Sequence, residues 1–119
     1  MDEFAAKRQA LLESGVRMMD PGAVYVEAGV TVGAGTLLLP GTILRGNTVV
    51  GENCEIGPNT MLTDCTVGDG AVINSSQCNE STIDAGAHVG PFAYIRPHCV
   101  VGDDIKVGDF VELKNSTIG

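Results

Sequence analysis

From Val26 to the end of the chain an aliphatic residue recurs every five or six positions, and this period constrains the fold more than any other feature. A half-buried strand repeats its apolar residues every two positions and an amphipathic helix about every 3.6, so neither explains the pattern. The 17 residues that begin these units are all Val, Ile or Leu except Cys78, a small residue that packs like an apolar one. They are Val26, Val32, Leu38, Leu44, Val50, Ile56, Leu62, Val67, Ile73, Cys78, Ile83, Val89, Ile95, Val101, Val107, Leu113 and Ile118.

A second column of residues lies two positions before each unit start and holds only small or aliphatic side chains. All four cysteines of the chain fall in these two columns. No two of them form a CxxC pair, and no histidine stands at a zinc-finger spacing. We therefore predict four reduced cysteines that pack in the interior, with no disulfide framework and no metal site: Cys54, Cys65, Cys78 and Cys99.

A period of six describes a short strand followed by a turn, which together form one side of a coil. Three such sides close a coil of about 18 residues, and successive coils stack at about 4.8 Å through backbone hydrogen bonds. We therefore predict an all-β parallel β-helix over residues 26–119, with about five coils. Because parallel crossovers are right-handed in about 98% of cases, physics alone favours a right-handed helix. Nine residues suit corners with positive φ: Gly29, Gly35, Gly41, Asn47, Asn53, Asn59, Gly70, Gly86 and Asp104.

Residues 1–25 precede the repeat and are interpreted as a linker helix with an entry turn. Asp2 is a candidate N-cap, Gly15 ends the helix, and Asp20-Pro21 forms the turn. We expect the helix to cover the N-terminal end of the coil stack. Its predicted apolar face contains Phe4, Leu11 and Leu12. At the other end the chain stops two residues into a unit, which we interpret as a truncation.

The charge of the chain limits its partners. With seven Lys and Arg and a formal net charge of -8, neither nucleic acid nor an anionic membrane surface is an expected partner. The sequence has no apolar run of the roughly 20 residues that a membrane span needs, and its N-terminus is charged where a signal peptide is apolar. These features favour a cytoplasmic protein.

Two of the few cations stand 18 residues apart, at Arg96 and Lys114. Three uninterrupted six-residue units separate them, so both side chains should point outward from the same side of adjacent coils. An Arg fork beside a Lys charge is a candidate phosphate site. Periodicity alone leaves open two solvated surface charges or an ion pair between subunits.

Three runs resemble the bifunctional N-acetylglucosamine-1-phosphate uridyltransferase family, which also acetylates glucosamine 1-phosphate. They are Pro40 to Thr60, GPFAYIRP from Gly90 and VGDFVELKNSTIG from Val107. The resemblance implies a left-handed β-helix, a homotrimer and acetyl-CoA as the acyl donor. It also implies that Arg96 of the IRP motif and Lys114 of the VE-x-K motif bind the phosphate of the amino sugar.

Residues 1–119 do not include every part that this resemblance implies. The family's base histidine and most of its acetyl-CoA contacts follow the VE-x-K lysine, and its uridyltransferase domain precedes the linker. We therefore predict a sugar-phosphate half-site in a chain that is inactive alone, with no metal. His88 and His98 are expected to be surface residues, since neither has a carboxylate at a spacing that would orient it. The alternative is a non-catalytic trimerisation or regulatory module of a sugar-nucleotide pyrophosphorylase.

Overall fold

The computed structural model describes residues 4–119, so the predicted cap at Asp2 lies outside the described residues. Helix α1 (Ala5–Glu13) comes first, and a short 3-10 turn (Pro21–Ala23) lies between the first and second of the short parallel strands. The strands are β1 (Arg17–Met18), β2 (Val24–Val26), β3 (Thr31–Val32), β4 (Leu37–Leu38), β5 (Thr42–Arg45), β6 (Val49–Val50), β7 (Glu55–Ile56), β8 (Met61–Thr63), β9 (Thr66–Val67), β10 (Val72–Ile73), β11 (Gln77–Asn79), β12 (Thr82–Ile83), β13 (His88–Val89), β14 (Tyr94–Ile95), β15 (Val100–Val101), β16 (Lys106–Val107), β17 (Glu112–Leu113) and β18 (Thr117–Ile118).

Every third strand belongs to the same sheet, so the described strands form three parallel sheets of six. The first sheet runs from β1 to β16, the second from β2 to β17 and the third from β3 to β18. The chain is thus a left-handed parallel β-helix of about six turns, as the resemblance implied. The right-handed preference rests on a twisted strand that feeds a crossover helix, and coils of two- to four-residue strands have no such helix.

The coil stack begins earlier than the repeat at Val26. Strand β1 lies within residues 1–25, and Met18 pairs with Leu38, a predicted unit start. Val26 lies eight positions after Met18, and because this spacing is neither five nor six the repeat did not reveal the first turn. The described stack therefore has six strands on each side instead of about five coils.

The two predicted columns form the interior. All unit starts are buried except Leu113 and Ile118 in the last coil, which are half-buried. The four cysteines are free and buried. Burial raises the pKa of the Cys54 and Cys65 thiols, and it raises the pKa of Cys78 well above the ordinary value of 9.0. These thiols are therefore packing residues and not nucleophiles.

Helix α1 covers the N-terminal end of the stack, where the first strands leave backbone groups without a preceding coil. Lys7 Nζ donates to Val30 O at 2.6 Å, and Arg8 Nη1 donates to Val24 O at 3.3 Å. Leu11 is buried as predicted, but Leu12 is 37% exposed. Arg8 is buried in place of Leu12. The position of the helix is confirmed, and its buried face differs because edge carbonyls require a donor.

The corners precede the small column and frequently have positive φ. Seven of the nine predicted corner residues do so, whereas Gly29 and Asn47 do not, and Gly46 (φ 67°) takes the place of Asn47. The corner conformation also occurs at residues that composition did not suggest. These are Asp64, Ser75, Glu80, Phe92, His98, Phe110 and Asn115.

Among the described residues no helix is long and apolar enough to cross a membrane.

Candidate functional site

Arg96 and Lys114 lie side by side at one edge of the second sheet. Strands β14 and β17 pair with Ile95 opposite Leu113, and Arg96 N donates to Leu113 O at 2.8 Å. The residue that follows each of these buried positions points outward, so the two cations are neighbours across one coil spacing of about 4.8 Å. The predicted cationic column is therefore present in the fold.

Arg96 also contacts its own sheet. Its Nη1 lies 3.3 Å from Glu112 Oε2, and its guanidinium carbon lies 6.0 Å from the centre of the Tyr94 ring. Lys114 has no ion pair with any residue that the structure describes. Glu112 therefore neutralises one of the two cations and leaves a local excess of one positive charge.

A third cation belongs to the same column but to a different environment. Arg45 lies three coils earlier, with Thr63 and Asn79 between it and Arg96. Its Nε lies 3.9 Å from Glu27 Oε2, and Nη1 approaches the Met61 sulfur at 3.9 Å. Arg45 thus has no cationic neighbour in this column and is paired with Glu27, whereas Arg96 and Lys114 are adjacent.

A notch of about 600 Å³ opens on the outer face of the second sheet, beside the cations. None of the residues that line it is charged. Its floor and walls are formed by Ile43, Met61, Gln77, Tyr94, Phe92 and the corner at Ser75, together with small neighbours. The notch is therefore a neutral, partly aromatic surface alongside the column that holds Arg45 and Arg96.

Two phenylalanines occupy corners in the left-handed conformation. Phe92 has φ 62° and Phe110 has φ 55°, and their rings stack at 5.3 Å with an angle of 20° between planes. A bulky residue with positive φ is a backbone outlier that costs about 1–3 kcal/mol. Their side chains nevertheless remain 57% and 82% exposed. Sequence reasoning missed this pair, although each Phe stands four residues before one of the two predicted phosphate ligands.

The histidines lie elsewhere on the surface. His88 points outward from the first sheet, opposite Lys106. His98 occupies the corner after Arg96 with φ 68°, and its backbone N donates to Glu80 O at 3.0 Å. Both are exposed, as predicted. Within residues 4–119 no group of three or more His, Cys, Asp and Glu side chains could hold a metal ion.

The repeat and its buried columns define a hexapeptide-repeat left-handed β-helix. Residues 21–118 match the family described as the GMPPB C-terminal domain, and the chain belongs to this family. The chain is also 48% identical over 108 residues to the bifunctional protein GlmU of Desulfitobacterium hafniense and 52% identical over 106 residues to that of Mycolicibacterium gilvum. The resemblance to the bifunctional enzyme family is thus confirmed. These alignments cover 91% and 89% of the chain but 24% and 21% of the relatives, so the chain spans about a quarter of their length or less.

Solved structures share the fold at lower identity. PerB from Caulobacter crescentus, in complex with CoA and GDP-perosamine, has a TM-score of 0.79 at 18% identity, over 97% of this chain and 58% of that one. The H141N mutant of perosamine N-acetyltransferase from the same organism has a TM-score of 0.64 at 17% identity, over 97% and 60%. At these identities the match supports the β-helix fold alone.

Proposed function

We propose that this chain is the sugar-phosphate-binding part of an acetyl-CoA-dependent glucosamine-1-phosphate N-acetyltransferase domain that serves UDP-N-acetylglucosamine synthesis. The observation that carries the proposal is the pairing of β14 with β17, which sets Arg96 beside Lys114. These are the two residues that the family resemblance identifies as phosphate ligands. The relatives named GlmU support the same enzyme class.

The electrostatics of the pair suit a phosphate ester. The guanidinium of Arg96 offers a planar fork of donors, and Lys114 adds a charge without an acidic partner among the described residues. The Arg96–Glu112 pair is solvent-exposed, with 41% and 58% of the two side chains accessible. An exposed pair of this kind contributes about 0–1 kcal/mol, so a phosphate dianion can replace Glu112 at little cost.

In the proposed reaction the chain binds and orients the acceptor. The amine of the sugar attacks the thioester carbonyl, the amine proton passes to a general base, and the thiolate of CoA leaves. His88 lies on the first sheet, away from the cationic pair, and His98 occupies the corner after Arg96 without a carboxylate at a spacing that would orient it, so we assign neither a role as base. In the resembling family the base histidine follows the VE-x-K lysine, outside residues 1–119, and we expect no turnover by this chain alone.

We infer acetyl-CoA as the acyl donor from the family resemblance; PerB, which shares only the fold with this chain, was solved with CoA and GDP-perosamine. A homotrimer in the cytoplasm, acting on cell-wall precursors and without a metal ion, completes the proposal.

Calorimetric titration with glucosamine 1-phosphate tests the site. Arg96→Ala and Lys114→Ala should each weaken binding about 10- to 100-fold, since one charge-assisted hydrogen bond contributes about 1.5–3 kcal/mol. Arg45→Ala is the matched control, because it removes an exposed arginine from the same column. Equal weakening by all three variants would reduce the effect to overall charge and contradict a specific site.

A second candidate is a non-catalytic trimerisation or regulatory module. The match to the GMPPB C-terminal domain over residues 21–118 is the observation behind it, because the description of that family names no acetyltransferase activity. Analytical ultracentrifugation combined with the titration separates the two. A folded trimer that does not bind glucosamine 1-phosphate would support the module and contradict the acetyltransferase proposal.

A further inference from the structure

The notch arises from a local change in coil length. The unit from Ile73 to Cys78 has five residues, whereas the paired units from Ile56 to Leu62 and from Val89 to Ile95 have six. The corner between them, at Ser75, is one residue shorter than its two neighbours. This recess lies under Phe92, whose backbone N donates to Ser75 O at 2.9 Å.

The recess interrupts a column of corner residues, which are aromatic on its C-terminal side and not aromatic on its N-terminal side. In chain order the column contains Gly41, Asn59, Ser75, Phe92 and Phe110. Phe110 covers one face of the Phe92 ring, and Phe92 alone of the two lines the notch. A planar ring placed in the notch would therefore continue the stack from Phe110 through Phe92.

The two coils with aromatic corners are also the two coils that hold Arg96 and Lys114. Phe92 stands four residues before Arg96, and Phe110 stands four residues before Lys114. Tyr94, which lines the notch, is two residues before Arg96 on the same outward face. At about 3.3 Å per residue, the wall of the notch formed by Tyr94 and Phe92 lies roughly 7 to 13 Å along the chain from Arg96.

The lining of the notch indicates the chemistry of its ligand. Gln77 and Asn59 supply amides that both donate and accept hydrogen bonds, and Ile43 and Met61 supply an apolar surface. An amide that reads the edge of a ring and an aromatic face that stacks on it are the usual contacts of a nucleobase. Since no lining side chain is charged, the negative groups of a ligand would lie outside the notch. Arg45, two residues after the lining residue Ile43, is paired with Glu27, so the pair of Arg96 and Lys114 is the more cationic side.

We propose that the notch binds the base of a nucleoside diphosphate whose phosphates bind Arg96 and Lys114. This inference rests on the anion-binding role of the pair proposed above and adds a second subsite to it. The strained phenylalanine corners are then explained by a ring that stacks on Phe92.

The test is calorimetry of the whole chain with UDP, ADP, pyrophosphate and glucosamine 1-phosphate. UDP or ADP should bind about fivefold or more tightly than pyrophosphate, because stacking of one base contributes about 1–3 kcal/mol. Phe92→Asn removes the ring and copies the residue of the same corner column at Asn59, which also has positive φ. It should reduce nucleotide binding to the level of pyrophosphate and change glucosamine 1-phosphate binding by less than about twofold.

Gln77→Ala tests the amide without changing a corner, and it should also weaken nucleotide binding. Thr82→Ala is its control, since Thr82 points outward from the third sheet in the same turn. Nucleotide binding no tighter than that of pyrophosphate, or unaffected by Phe92→Asn in a folded chain, would overturn the proposal. So would a change of oligomeric state in both notch variants at constant nucleotide affinity, because the notch would then hold a second copy of the chain.

The two proposals fail separately in this design. Nucleotide binding that depends on Phe92, in a chain that does not bind glucosamine 1-phosphate, would support the notch and contradict the sugar-phosphate function. Loss of both ligands in Arg96→Ala, with loss of the nucleotide alone in Phe92→Asn, would support both.

Discussion

Leu62 and Leu113 occupy the same interior column of the second sheet, and the same substitution at each tests how the stack is stabilised. Leu62 is 0% exposed and lies between Leu44 and Cys78 in the paired strands. Leu113 is half-buried and pairs with Ile95 on one side, in the last strand of that sheet. Leu62→Ala therefore opens a cavity inside the column, whereas Leu113→Ala shortens its end.

The expected magnitudes follow from this difference. A buried Leu→Ala change costs about 2–5 kcal/mol, more when the surroundings cannot collapse into the space. Cys78, the smallest of the unit starts, cannot fill the gap beside Leu62, so we expect about 4 kcal/mol there. At Leu113 water reaches part of the side chain already, and we expect about 1–2 kcal/mol. Against a typical domain stability of 5–15 kcal/mol, the first loss is large.

Urea unfolding at fixed pH measures both losses. Because stacked repeats can unfold from one end, circular dichroism and tyrosine fluorescence must give the same transition before a free energy is assigned. Leu62→Met keeps the volume and should cost less than about 1.5 kcal/mol. A cost below about 1 kcal/mol for Leu62→Ala, or equal costs for the two alanine variants, would refute a continuous interior column as the main source of stability.

Three other predictions concern the corners, the thiols and the chemistry. Gly57→Ala should destabilise the chain by more than about 1 kcal/mol in urea unfolding, because Gly57 has φ +110° and an added Cβ would contact Leu39. Gly108→Ala is the control: the site has open space, so its effect should stay within about 0.5 kcal/mol. The pKa of Cys78 is raised in the folded chain, so the unfolded chain loses its thiol proton first and stability should fall as pH rises above about 9. Cys78→Val should reduce the fall in urea midpoint between about pH 8 and about pH 10, and an unchanged fall would exclude this thiol as a cause. Mass spectrometry should detect no N-acetylated product from acetyl-CoA and glucosamine 1-phosphate with this chain alone, and product above the uncatalysed background would show that the chain contains its own base.

The interior could be predicted from the sequence because burial imposes the same requirement on every coil. A position that points inward in one turn points inward in the next, so the unit starts and the small column are visible as two restricted columns. The pairing of Arg96 with Lys114 followed from the same argument, since three units of six separate them without interruption. Their role as phosphate ligands stays a prediction.

The N-terminal region was harder to predict because its contacts are not periodic. Arg8 was not singled out in the sequence, yet it is buried against the first coil, where its guanidinium donates to Val24 O. Met18 begins a unit that the frame did not include, since its distance to Val26 is irregular. Both features depend on where the stack ends, and the local sequence does not contain that information.

The notch shows why a surface site escapes the same reasoning. The short unit at Ile73 keeps both buried columns in register, since Ile73 pairs with Ile56 and Val89, so the interior pattern shows no break. The missing residue is removed from the corner, and its effect appears only on the outside of the turn, below Phe92. In a β-helix the buried positions specify the stack, and differences in unit length shape the surface. A unit that is shorter than both of its neighbours in the stack, as the unit at Ile73 is, is therefore a position at which to search such a sequence for binding sites, next to corners that carry unusual residues.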